Sequence, residues 1–197
     1  MNKCFYICVV VACLMLPGMA WADLVQNGGF ETGDFSGWAI TGACAGVGAT
    51  TPGGCYGVDI NPGPHTGNYA AYLGGTPNTL IAQTLMTTVG QEYTLNFFLA
   101  APPFAALGGY DPNSFSVSWN GTALDTLTNL HADTYGGHTY SAIGTGSDIL
   151  QFTTSSGPSY FLLDDVSVSS VPDGGVTFML LGGALVGFET LRRKFRA

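Results

Sequence analysis

Basic side chains are almost missing from this chain. Of its 197 residues only five are Lys or Arg, namely Lys3 and four in the final stretch at 192–196. Eleven acidic residues and no Lys or Arg lie between Asp23 and Ser170, so this region carries a charge of about −11. Phosphate backbones need cationic partners, so we expect no nucleic-acid binding and no anionic substrate held by Arg. The same charge attracts divalent cations, and carboxylates and carbonyls are the ligands that calcium prefers.

Cysteine is scarce outside the amino-terminal segment. Three of the five cysteines lie in the first thirteen residues, which leaves Cys44 and Cys55. The two flank a Gly-rich stretch at 45–54, and an even pair predicts a disulfide wherever the domain meets an oxidising compartment. Closing this loop would stabilise the fold by roughly 2–3 kcal/mol in the chain-entropy model. Two free thiols or a metal-binding pair are the alternatives.

Helical periodicity is absent between Asp23 and Ser170, where short runs with a period of two alternate with turn residues. The clearest run is residues 114–119, in which Phe115, Val117 and Trp119 alternate with serines, followed by an Asn-Gly hairpin turn at 120–121. The other predicted strands are 69–73, 79–86, 92–101, 122–127, 139–143, 149–154 and 160–168. Many short strands at this spacing predict an all-β fold, a single β-sandwich over residues 23–170.

Long apolar runs occur only at the two ends. Residues 1–22 have the order of a secretory signal peptide: Lys3, an apolar segment at 4–16, a Pro-Gly break, and small residues at 20–22 before Asp23. A retained anchor or lipidation at Cys13 are the alternatives.

The carboxy-terminal 27 residues have three parts. Val171, Pro172, Asp173, Gly174 and Gly175 form a short motif, residues 176–191 form an apolar segment, and a basic end follows at 192–197. The segment is short for a transmembrane helix of about 20 residues, yet the basic end would hold it on the cytoplasmic side. A core helix of the globular domain is the alternative.

This tail resembles the VPDSG variant of the PEP-CTERM sorting signals, with Gly174 where that variant usually has Ser. The resemblance implies a bacterial envelope protein whose tail is a substrate for an exosortase-type membrane enzyme. Processing would fall near residues 171–175. Such proteins are associated with exopolysaccharide and biofilm matrix. The implied localisation is the cell envelope first, then the cell surface or extracellular matrix.

The domain edges carry a second resemblance. The opening motif at 27–38, the stretch at 67–73 and the closing strand at 161–168 resemble the galactose-binding-like jelly rolls of many carbohydrate-binding modules. In that family the opening Glu and a closing Asp often share a structural calcium. Carried over, the ligands would be Glu31 and Asp164 or Asp165, with backbone oxygens near Gly29 and residues 65–68. Because neighbours on a strand face opposite ways, only one of the two aspartates is expected to point inward.

Sugar binding by such a module would use exposed aromatic rings. The candidates are Trp119, Tyr72, Tyr110, Tyr135 and Tyr140. Tyr110 and Tyr135 lie in Gly-rich sequence and are expected to be exposed, whereas the patterns around Trp38 and Trp119 favour burial in the core.

Signals for catalysis are poor. The chain has no Gly-x-Ser-x-Gly or His-Glu-x-x-His motif, and its sequence singles out no carboxylate pair for a glycosidase. We therefore expect a non-catalytic surface or matrix protein that binds polysaccharide with calcium support. A purely structural surface protein is the first alternative, and a glycan hydrolase the second.

Overall fold

A computed structural model describes residues 22–42, 56–60, 63–101 and 112–172, which form an all-β domain. The eight strands pair only in antiparallel fashion, and the described residues contain no helix, as the sequence predicts. They are β1 Ala39–Thr41, β2 Tyr56–Asp59, β3 Ala70–Met86, β4 Glu92–Ala101, β5 Asn113–Trp119, β6 Thr122–Thr128, β7 Ala132–Ile143 and β8 Ser147–Ser170.

Two long strands, β3 and β8, run through both layers of the sandwich. Residues 70–74 of β3 and 160–170 of β8 join β2, β4 and β7 in what we call the front sheet. Their other halves, 79–86 and 147–156, join β1, β5 and β6 in the back sheet. The pairing register shifts at Gly74 and Gly75, where the chain passes between the sheets. Each long strand corresponds to two predicted strands, because the sequence marks this passage as a break.

Aromatic rings fill the space between the sheets. Phe97 of the front sheet packs edge-on against Phe152 of the back sheet with centroids 5.2 Å apart. Phe115 and Phe161 meet across the same layer at 5.5 Å. All four side chains are fully buried, and each contributes about 1.5–3 kcal/mol of hydrophobic stabilisation.

The chain entry pairs with the end of β8. Leu24 N donates to Val168 O at 2.9 Å, and Val166 N donates to Gly28 O at 3.0 Å. A Cβ on Gly28 would lie 1.9 Å from Val166 O, so only glycine permits this approach. Trp38 closes the opening turn and is buried, as predicted, with its ring stacked on Phe30.

The predicted hairpin between β5 and β6 is confirmed. Asn120 and Gly121 both have left-handed backbones, with φ of 50° and 76°. This is the conformation that a two-residue type I′ turn requires, and Asn-Gly adopts it most readily. No helix in the described part of the chain is long and apolar enough to cross a bilayer.

Candidate functional site

The outer face of the front sheet carries aromatic rings and carboxylates together. Along β4, Tyr93, Leu95, Phe97 and Leu99 are buried in the core, and the residues between them face outward. Directly opposed residues on neighbouring strands share a face. Phe98 is opposed by Asp164, and Leu162 by Tyr72, so all four side chains belong to the outer face.

A β-bulge places both closing aspartates against one loop. Between the Asn96 and Phe98 pairings, β8 has one residue more than β4, and Asp165 takes a left-handed φ of 49°. This turn of the backbone interrupts the alternation, so the expectation that only one aspartate points inward is wrong. Asp164 accepts hydrogen bonds from the backbone of the loop at residues 63–69, and Asp165 contacts side chains of the same loop.

Asp164 is the most deeply buried member of this group. Its carboxylate is 0% exposed and accepts hydrogen bonds from His65 N at 2.7 Å, Thr66 N at 3.2 Å and Asp165 N at 2.7 Å. Burial raises the pKa of Asp164 to about 6, and the neighbouring Asp165 charge adds to the rise, while the three N–H donors oppose it. A carboxylate held in this way would be stabilised by a nearby cation.

Asp165 and Glu31 fix the rest of the loop. Asp165 Oδ2 lies 2.6 Å from His65 Nδ1, and Asp165 Oδ1 accepts from Thr66 Oγ1 at 2.7 Å. Glu31 accepts from the backbone N of Asn68 at 2.9 Å and of Tyr69 at 3.0 Å. These backbone hydrogen bonds lower the pKa of Glu31.

The three carboxylates expected to bind calcium therefore lie in one neighbourhood. A Cβ built on Gly29 would be 3.5 Å from Asp165 Oδ1, 3.8 Å from Asp164 Oδ1 and 3.7 Å from Glu31 Cγ. Their oxygens are engaged by N–H and O–H donors, and within the described ranges no three acidic, His or Cys side chains converge on a metal-sized point. The donor chemistry suits calcium, but the oxygens would have to turn away from their present donors.

Aromatic side chains surround the same loop. The His65 ring stacks on Phe98 at 3.6 Å, and Tyr135 Oη donates to Gly63 O at 3.1 Å. Tyr135 and Tyr160 flank a small buried cluster of Tyr72, Ala100 and Leu162. Burial, followed by the charges of Asp164 and Asp165, raises the pKa of Tyr135, so its hydroxyl stays protonated as a donor.

An open hollow of about 300 Å³ lies at the β2 edge of the front sheet. Aromatic and acidic residues line it together with small ones: Gly33, Asp34, Phe35, Tyr56, Gly57, Val58, Asp59 and Tyr72. The Tyr72 ring lies across Gly57, where a Cβ would be only 2.2 Å from Tyr72 Oη. Glycine at position 57 thus gives the ring its place in the wall of the hollow.

The predicted ligand-binding residues differ in burial and in position. Trp119 is only 6% exposed, and its indole stacks against Tyr93, so it is not available as a sugar platform. Tyr135 lies on β7 rather than in a loop and is half-buried on the outer face. Tyr110, Cys44, Cys55 and the motif residues Asp173, Gly174 and Gly175 lie outside the described residues, so the disulfide stays a prediction.

Phe98, Tyr160 and the hollow were not predicted from the sequence. Outward positions on β4 and β8 follow from the alternation of buried residues, so that pattern could have identified both rings. The alternation pattern could not have placed Phe35 and Tyr56 in the hollow, because they meet only where the opening turn lies beside β2.

The tail and the domain each match known proteins. Residues 170–195 match the VPDSG-CTERM motif, so the chain carries this sorting tail. The domain is similar to TmCBM61 in complex with β-1,4-galactotriose, with 19% identity, a TM-score of 0.56, and coverage of 76% of this chain and 99% of that one. No curated protein matches the chain.

Two further structures have the same fold. The CBM22-1 xylan-binding domain of Paenibacillus barcinonensis Xyn10C is 14% identical with a TM-score of 0.53, covering 79% of this chain and 99% of that one. A bacteriophage CBA120 tailspike protein 4 enzymatically active domain is 15% identical with a TM-score of 0.52, covering 76% of this chain and 21% of that one. At these identities the likeness establishes the fold, a jelly roll of the carbohydrate-binding-module kind.

Proposed function

We propose that this protein is exported, handled through its tail by an exosortase-type enzyme, and binds polysaccharide without catalysis. The binding surface is the hollow at the β2 edge and the adjoining outer face of the front sheet. The observation that carries this proposal is the combination of aromatic rings and carboxylates there, on a domain whose sorting tail directs it to the cell envelope. The cell surface or extracellular matrix is then the place of action.

The chemistry of the hollow suits a sugar ring. Pyranoses present C–H faces that pack on aromatic rings, and hydroxyls that donate to carboxylates. Phe35 and Tyr56 supply the rings, and Asp34 and Asp59 supply acceptors, whereas Tyr72 is only 7% exposed and forms part of the wall behind them. Hydrogen bonds from Ser36 and Thr32 lower the pKa of Asp34, which keeps it charged. Because the domain has no Lys or Arg, the glycan it binds is neutral or cationic rather than polyanionic.

Binding is tested by affinity electrophoresis against matrix polysaccharides with calcium present. Gly57→Ala should displace the Tyr72 ring and weaken retention by about tenfold, equivalent to ~1.4 kcal/mol. Gly136→Ala is the matched control, since its new Cβ would meet nothing closer than 3.9 Å. Tyr160→Ala provides a second probe that does not crowd the hollow. Equal retention of all four proteins would contradict the proposed surface.

A structural role without a ligand is the second candidate. The loop at residues 63–69 lies across part of the aromatic face, and the Tyr135 hydroxyl is already used on Gly63 O at 3.1 Å. Retention of the unsubstituted protein on no glycan would favour this role. A hydrolase is disfavoured, because Asp164 and Asp165 are engaged in holding the loop.

We also propose calcium as a structural ligand of Glu31, Asp164 and Asp165. A cation would offset the cost of the buried Asp164 charge and tie the opening turn to β8. Calcium at 100 times its Kd would stabilise the fold by about 2.7 kcal/mol. The thermal midpoint should therefore rise with calcium and fall with chelator, and Glu31→Gln should remove the difference. Asp125→Asn, on the back sheet, is the control, and an identical midpoint in calcium and chelator would contradict the site.

A further inference from the structure

Exposed apolar side chains gather at one end of the sandwich. Met86 and Val89 are 74% and 76% exposed, and Ile143 is 55% exposed. They lie on or beside the turns at 87–91 and 143–146, and we call this group the apolar tip. Ile149, six residues beyond Ile143 along the chain, is also exposed. Among the described residues only Ile60 is a comparably exposed large apolar side chain elsewhere.

The two turns and the chain exit form one unit. Gly90 N donates to Gly144 O at 2.9 Å, and Gly144 N donates to Gln91 O at 2.8 Å. Val171 N donates to Glu92 O at 2.8 Å, and Gln91 Nε2 donates to Val171 O at 2.7 Å. The chain therefore leaves the domain directly beside Val89.

The distance from this exit to the apolar tail is short. Only residues 173–175 separate Pro172 from the start of the apolar segment at 176. Four residue steps span at most about 14 Å when fully extended. The polar region of a bilayer leaflet is roughly 5–7 Å thick, so the exit must lie at or near the headgroups when the tail is inserted.

The chain entry leads to the same end. The segment at 24–28 runs antiparallel to β8, with Leu24 against Val168 and Gly28 against Val166. The chain thus enters the domain at Asp23 on the side of the tip, where it also leaves. Both apolar ends of the sequence join the domain on the side that exposes Met86, Val89 and Ile143.

We propose that the apolar tip rests in the headgroup region of the bilayer while the tail is inserted. This inference rests on the proposed handling of the tail at the membrane. Exposed apolar side chains on a turn favour the interface, where they leave water without the backbone having to cross the membrane. Asp23 and Glu92 are exposed near this end, so zwitterionic lipid is favoured over anionic lipid.

The test uses the full chain in phosphatidylcholine nanodiscs with methyl-labelled Ile, Val and Met. Lipid carrying a nitroxide headgroup broadens the NMR signals of methyl groups near the surface. We expect loss of the Met86, Val89 and Ile143 signals and retention of the Ile60 signal. Ile60 and Ile143 are matched in residue type and in exposure, both at 55%.

A double variant separates contact from mere proximity. In Val89→Ser with Ile143→Ser the tip should leave the lipid within the reach of its tether of about 14 Å, and the broadening of the Met86 signal should fall several-fold. Ile60→Ser is the control and should leave the Met86 signal broadened. An unchanged Met86 signal in the double variant would show proximity alone and overturn the inference.

The tail reports separately on the proposed function. If Met179 in the tail is broadened and the tip methyls are not, the tip does not touch lipid and is open to a protein partner, which overturns this inference alone. If Met179 itself is unaffected, the tail does not enter the membrane, and both proposals fail.

Discussion

Two buried aspartates show how nearby hydrogen-bond donors set the pKa of a carboxylate. Asp148 and Asp164 are both 0% exposed, but the pKa of Asp164 is raised to about 6 and that of Asp148 is lowered to about 2. Burial raises the pKa of both groups. Around Asp148 it is outweighed by hydrogen bonds from Thr145, Thr87 and Asn120. Asp164 has backbone donors only, and a second carboxylate beside it.

Asp148→Asn should destabilise the domain by about 2 kcal/mol at neutral pH, since an amide nitrogen cannot accept the hydrogen bonds that the charged oxygen receives. The pKa of Asp148 is lowered from 3.8 to about 2 in the folded state. Its contribution to the free energy of unfolding is therefore present above pH 3.8 and is lost as the pH falls toward 2. Urea unfolding of the unsubstituted protein and of Asp148→Asn should show that their difference in free energy of unfolding decreases as the pH falls through this range.

Glu92→Gln is the control for this series, because its side chain is exposed. It should leave the urea midpoint nearly unchanged at every pH. The stabilising role of the Asp148 charge would be contradicted by one result. This is a difference in urea midpoint between Asp148→Asn and the unsubstituted protein that stays constant down to pH 2.

At the scale of elements, left-handed residues decide where strands turn and which side chains meet. The hairpin at Asn120 and Gly121 could be predicted from the sequence, because the Asn-Gly dipeptide itself selects the turn type. The bulge at Asp165 is not readable from the sequence, because nothing local distinguishes it from its neighbours on β8. The bulge brings Asp164 and Asp165 to the same loop. The acidic part of the candidate site therefore exists because the side chains do not alternate at this point of β8.

Gly121→Ala should destabilise the domain by about 1–2 kcal/mol through backbone strain alone. Gly121 has a φ of 76°, and an added Cβ there would meet no atom within 4 Å. Gly136→Ala also has room for its Cβ, and its φ lies outside the left-handed range. Equal urea midpoints for the two variants would show that the turn does not strain alanine.

At the scale of the whole molecule, the sequence predicted what depends on near neighbours. The bounds of β4 at 92–101 agree with the prediction, and the alternation around Trp119 correctly favoured burial over sugar binding. The short strands β1 and β2 were missed, because they have too few residues to show a period. The packing of His65 against Asp165 joins residues 100 positions apart, so no local pattern could have predicted it.

The charge distribution makes the chain an unusual protease substrate. Trypsin requires Lys or Arg, and none lies between Lys3 and Arg192. The mature protein should therefore stay uncut by trypsin even in denaturant, whereas chymotrypsin should cut the unfolded chain at many aromatic residues. Tryptic cleavage after Lys3 or Arg192 in the recovered protein would contradict the processing boundaries at the two ends.

The mass of the protein recovered from its native envelope or medium is the most direct test of export and tail processing. Export and handling of the tail predict a mature chain that begins at Asp23 and ends within residues 171–175. Intact-mass spectrometry should then find no species that retains the basic end at 192–197 outside the membrane fraction. A chain of all 197 residues recovered from the cytosol, free of any membrane, would contradict both export and processing of the tail.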